Sequence, residues 1–167
     1  MALDRLLSLL LRAAELGFGA IVAGVNGEFL DTSSADSWTL GRYIYAEVVA
    51  GIAIFFSLIW LIPFSSTFTH WPLDIIISLC WWAVFGLLVD DLDGSACGGV
   101  FYWGNVSLRG DPCGKFKTVI AFSFLSAVLW LVSALIGYFW TSRREHRAAR
   151  AEVAHSRRRR WHRRSYV

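Results

Sequence analysis

Arg12, Glu47 and Asp74 each lie inside a largely apolar run, the first of which also holds Glu15 and Glu28, and a charge there has to be explained. A carboxyl surrounded by hydrocarbon can carry a proton or a cation, and an arginine beside it can neutralise it. Glu47 sits about one turn in from the edge of its run. A lone acid at that depth reads as an interfacial or hydrogen-bonded carboxyl facing other helices, in preference to an ion site. Asp74 falls one turn into its run, on the same side of the membrane as Arg12, and a pair between them would neutralise both. Cys97 and Cys113 bracket the sequon Asn105-Val106-Ser107. A disulfide and a glycan are the modifications this arrangement predicts, and both need the oxidising side of a membrane. A third cluster, Arg157, Arg158, Arg159, Arg160, Trp161, Arg163 and Arg164, is polybasic with one aromatic anchor. No nucleophile elbow, histidine-rich cluster, Cys-His metal spacing or pair of carboxylates within the spans is present. No catalytic, cofactor-binding or metal-ligating residue is assigned, and no cofactor is expected.

The elements that must position these groups are membrane spans. Of 167 residues, 56% are apolar, mean hydropathy is +0.49, and only 17% are charged, below the roughly 25% of soluble chains. Four apolar runs are long enough for a ~30 Å hydrocarbon core: about 7–29, 43–63, 72–90 and 116–140. The expected fold is an all-α membrane protein, a four-transmembrane-helix bundle over 1–142, followed by a basic tail over 143–167. The first run stops early at Arg12 and Glu15 with no small-residue cleavage site after it, so it reads as a retained span. Cys80, inside the third span, reads as a small apolar residue.

Charge is segregated. Ten arginines against Glu145 and Glu152 give the tail +8, whereas the whole chain carries +3. The positive-inside rule then places the C-terminus in the cytoplasm, and four spans place the N-terminus there too. The connections around 31–42 and 90–115 face the exterior or lumen, which independently puts Cys97, Cys113 and Asn105 on the oxidising side. Next to a span, the nearest partner for the tail is the anionic cytoplasmic leaflet rather than nucleic acid. Small residues recur at helical spacing in two spans, Ala13, Gly17, Ala20, Gly24 and Gly27 in the first and Ala46, Ala50, Ala53 and Ser57 in the second, and the fourth carries a polar packing face of Ser123, Ser126, Trp130, Ser133 and Gly137 in the same kind of register. Such stripes predict close helix packing, and serines among them can bond their own helix or a neighbour. Arg12 could also snorkel to the headgroups on its long stem.

Leu73-Asp74 opening a Trp/Phe-rich third span, two cysteines in the second outer loop, and Lys117 followed by Ala121-Phe122-Ser123-Phe124 resemble the fungal MARVEL-domain proteins. The likeness covers about residues 5–140. It implies a non-enzymatic role in membrane apposition, vesicle trafficking or the organisation of sterol- or sphingolipid-rich patches, in the plasma membrane or an endomembrane. Partners would be the bilayer itself, anionic lipid at the tail, and another copy or another membrane protein. Claudins fit less well, because their paired cysteines belong to the first outer loop. The alternative is a small transporter or channel subunit using Glu47 and Asp74. Against it, neither acid lies mid-span and no Gly/Pro break marks a midplane site.

Overall fold

The computed structural model describes residues 2–32, 37–61, 71–93 and 112–164, together with Cys97; side chains are described for 6–31, 37–61, 71–92, 97, 112–147, 149, 150 and 152. Four helices result: α1 (Ala2–Thr32), α2 (Ser37–Leu61), α3 (Trp71–Asp93) and α4 (Pro112–Arg164). Each contains a stretch long and apolar enough to cross a membrane: Leu6–Asp31, Ser37–Leu61, Trp71–Leu92 and Pro112–Arg147. The chain is a multi-pass, all-helical membrane protein. Inside hydrocarbon every backbone N–H and C=O must be satisfied within the segment, which is why such runs become helices.

Neighbours in the bundle follow the chain, α1 on α2, α2 on α3, α3 on α4, with α4 closing back on α1. α1 and α3 therefore lie across a diagonal. Large apolar side chains point outward, among them Leu9, Phe55, Leu79 and Phe139, all more than half exposed. In water they would be a liability; in a bilayer they are the lipid-facing surface. The core holds Val22, Ala50, Val84, Leu88 and Val119 together with Trp81 and Trp130, all buried.

The small-residue stripe of α2 and the polar face of α4 point inward. Ala46, Ala50, Ala53 and Ser57 are fully buried, and Ser123, Ser126, Trp130 and Ser133 line the inner face of α4. The stripe on α1 behaves differently from the expected packing face. Ala13, Gly17, Ala20 and Gly24 are exposed, Gly27 is partly buried, and a Cβ placed on Gly17, Gly24 or Gly27 would meet nothing within 4 Å. The glycine that packs is Gly19, whose added Cβ would lie 3.2 Å from Ile54 Cγ1. The reason is that α1 turns a different face to α2, the one carrying Arg12, Glu15, Gly19, Val22 and Asn26, which are all buried.

α4 runs without a break from the first cysteine-proximal turn through the arginine-rich segment. The expected boundary at 142 is not marked by any interruption of the helix. Asn105, and the aromatic cluster Phe101, Tyr102 and Trp103, lie outside the described residues.

Candidate functional site

All four helices meet at Arg12. Its guanidinium donates from Nη1 to Asp74 Oδ1 at 3.1 Å and from Nη2 to Asp74 Oδ2 at 2.8 Å, a two-pronged bond across the α1–α3 diagonal. Nη1 also donates to Glu15 Oε2 at 2.8 Å, one turn along the same helix. The other Glu15 oxygen accepts from Ser133 Oγ of α4 at 2.5 Å. Its Cζ also lies over two indole rings, 4.4 Å from the centroid of Trp60 of α2 and 5.3 Å from that of Trp130 of α4. Arg12 is 8% exposed, Glu15 0% and Asp74 2%. An arginine buried this deeply must have its donors satisfied, and the planar fork matches a carboxylate bidentately while the rings attract its charge. So Arg12 does not reach out to the headgroups.

The opposite end of the bundle has its own polar network. Asn26 of α1 donates from Nδ2 to Tyr43 O at 2.8 Å and to Glu47 Oε2 at 2.9 Å, both on α2. Glu47 is thus held as a hydrogen-bonded carboxyl beside another helix. Arg42 donates to Asp90 at 2.8 Å and to Leu87 O at 3.3 Å, and Tyr43 Oη donates to Asp91 at 3.1 Å, tying α2 to α3. Lys115 of α4 bonds Glu28 of α1 at 2.6 Å. A disulfide joins Cys97 to Cys113 at this same end, with Cα atoms 5.5 Å apart, inside the usual range for such a bridge. Halfway along, Ser78 Oγ donates to Ala127 O at 2.8 Å and Ser123 Oγ to Val119 O at 2.7 Å. One serine bonds a neighbouring helix and one its own.

Sequence reasoning named Arg12, Glu47 and Asp74. The structure brings Arg12 and Asp74 together and leaves Glu47 at the other end. Along α1, Asn26 lies fourteen residues beyond Arg12, ~21 Å at 1.5 Å per residue. Glu15 and Ser133 were not singled out as site residues. The signal for Glu15 was its three-residue spacing from Arg12, which puts both on one face of a helix. Nothing in the sequence marks Trp60 and Trp130 as the rings that flank Arg12. The side chains of Arg157, Arg158, Arg159, Arg160, Trp161, Arg163 and Arg164 lie outside the described residues; their backbone continues α4. Among the described residues no cluster of three His, Cys, Asp or Glu side chains is placed to hold a metal.

The arrangement ties helices together at both ends rather than presenting a reacting group to a substrate. No curated protein and no solved structure matches the chain. One family model does: the MARVEL membrane-associating domain, over residues 5–136. That match takes in three spans and most of the fourth, including both halves of the Arg12–Asp74 pair, and the chain belongs to the MARVEL family of membrane-associating proteins.

Proposed function

We propose that this protein is a non-enzymatic membrane organiser of the fungal MARVEL type, acting in microdomain organisation, membrane apposition or trafficking at the plasma membrane or an endomembrane. The observation that carries this reading is the closed interior of the bundle. Asp74 is bound on both oxygens by Arg12, Glu47 is ~21 Å away along the helix axis, and the side chains buried between the two levels are apolar, such as Val22, Ala50 and Val84, or serines, of which Ser78 and Ser123 donate to backbone carbonyls. An ion or proton moving from one acid to the other would meet apolar side chains and serine hydroxyls there, with no charged side chain among the described residues to relay it. By contrast the exterior offers extensive apolar surface, and the open small-residue face of α1 leaves room for a second helix to approach closely. The N- and C-termini are taken to be cytoplasmic on the strength of the arginine-rich tail, which supplies a handle for anionic lipid.

The test is ion and proton flux in proteoliposomes containing the purified chain. The expected result is flux no greater than in empty vesicles, unchanged by Glu47→Gln. A flux that depends on Glu47 would overturn the organiser reading and establish a transporter or channel subunit in its place.

A further inference from the structure

Trp140 is the last apolar side chain before the arginines, and α4 carries on past it without a break to Arg164. The first turns beyond it hold Arg143, Arg144, Arg147 and Arg150, all exposed. At 3.6 residues per turn, Arg143, Arg147 and Arg150 fall within ~60° of one another around the axis. Glu145 and Glu152, the two acids of this stretch, both fall on the opposite side and are exposed. None of the three arginines forms an ion pair among the described residues, so their charge is uncompensated along one face. Arg144 behaves differently: its Cζ lies over the Trp140 ring, 5.3 Å from the centroid. A tryptophan at the end of a span sits among the headgroups. Trp140 therefore marks a height from which the others are counted. Arg143 stands ~4.5 Å farther out along the axis, Arg147 ~10.5 Å and Arg150 ~15 Å.

We propose that Arg143, Arg147 and Arg150 form a binding site for the headgroup of a phosphoinositide that carries phosphates on its inositol ring. Basic residues clustered just beyond a span attract anionic lipid in general, and their arrangement here narrows the class. A basic helix lying flat on a bilayer meets many single phosphates at one height. A helix that continues the line of its span instead stands its arginines in a column, at increasing distance from the hydrocarbon. Phosphatidylserine and unphosphorylated phosphatidylinositol present one phosphate, at the foot of that column, where Arg143 meets it. Phosphates on the ring project outward from that first one and bring further anions up to Arg147 and Arg150. The guanidinium fork takes phosphate oxygens two at a time. Glu145 and Glu152, on the far side of the helix, stay clear of the ligand. Arg157 begins ~10 Å beyond Arg150, past the reach of the same headgroup, so the two groups of arginines are separate sites. The proposal rests on the cytoplasmic placement of the tail, and it adds to that reading a lipid class and the residues that select it.

The experiment places the full chain in nanodiscs whose bilayer holds equal small fractions of phosphatidylserine, phosphatidylinositol and phosphatidylinositol bisphosphate with matched acyl chains. Native mass spectrometry then counts the lipid that leaves with the protein. The bisphosphate lipid is expected to be retained about tenfold or more over phosphatidylinositol. Arg147→Gln with Arg150→Gln is expected to erase that preference, and Arg157→Gln with Arg160→Gln to leave it intact. Arg147→Ala with Ala149→Arg keeps the net charge but moves one cation ~160° around the helix; it is expected to lower the preference several-fold. All these positions lie beyond the bundle, so the fold is not put at risk. An undiminished preference in the charge-conserving variant would show that only net charge counts and overturn the site. So would equal retention of bisphosphate and parent lipid by the native chain, or a preference lost with Arg157 and Arg160 instead. Displacement of the lipid by free inositol trisphosphate at matching concentration would overturn the assignment to a membrane lipid. Ion flux through the chain would unseat the organiser reading and leave this site standing, whereas loss of the lipid preference would do the reverse.

Discussion

Removing the guanidinium of Arg12 leaves Glu15 and Asp74 buried near each other with no cation between them. Removing one carboxylate leaves Arg12 with the other. The expected order of damage is therefore Arg12→Gln, then Asp74→Asn, then Glu15→Gln. Breaking a buried pair by deleting one partner typically costs about 3–5 kcal/mol, and thermal unfolding of the detergent-solubilised variants measures it. The Arg12→Gln, Asp74→Asn double variant is expected to recover part of the Arg12→Gln loss; no recovery would mean that the two act separately. The Arg12–Asp74 pair was legible in the sequence because both lie one to two turns from the same membrane face. The two indoles were not. Periodicity tells which residues of one helix share a face, but it does not tell how each helix is rotated against the next, and Trp60 and Trp130 reach Arg12 through that rotation.

At the scale of the element, the same gap explains α1. Its small residues stand in perfect helical register, yet the stripe faces outward, because the four polar or tight-packing positions Arg12, Glu15, Gly19 and Asn26 claim the inner face. Register was readable and direction was not: a buried ion pair outweighs a run of glycines in deciding which side turns inward. On α2 and α4 no such competitor exists, and the stripes there do pack. Two outcomes follow for α1. Gly19→Val forces a side chain against Ile54 and is expected to destabilise the chain by about 1–3 kcal/mol, the usual cost of overpacking. Gly17→Leu with Gly24→Leu points into open space and is expected to leave the unfolding temperature unchanged while reducing resonance energy transfer between labelled copies. A fall in stability equal to that of Gly19→Val would show that this face is occupied within the chain.

Over the whole molecule, polar ties at both ends and a layer of apolar and serine side chains between them make a bundle that is fastened along its length. The number of spans and their approximate limits were legible from hydropathy alone, since hydrocarbon thickness sets segment length. The continuation of α4 past the expected boundary was legible in part: Arg143 to His155 has a helix-compatible composition, but the hydropathy drop at Trp140 marks only the end of the apolar surface and does not tell whether the helix breaks there. That continuity has a geometric outcome. At 1.5 Å per residue, a straight helix carries Arg157 ~25 Å beyond Trp140 and Arg164 ~36 Å beyond it. Electrostatic attraction at physiological salt dies away over ~8 Å. An unbent rod would thus hold Arg157–Arg164 out of range of the leaflet it springs from and within range of a second bilayer facing it. Such a rod would work as a spacer gauge with a charged tip, setting a gap between two surfaces. Neutral-lipid vesicles carrying the chain are expected to cluster acceptor vesicles rich in anionic lipid, and to release them in high salt or after deletion of Arg157–Val167. Binding confined to the vesicle's own surface, with no clustering, would mean that the rod bends where the span ends.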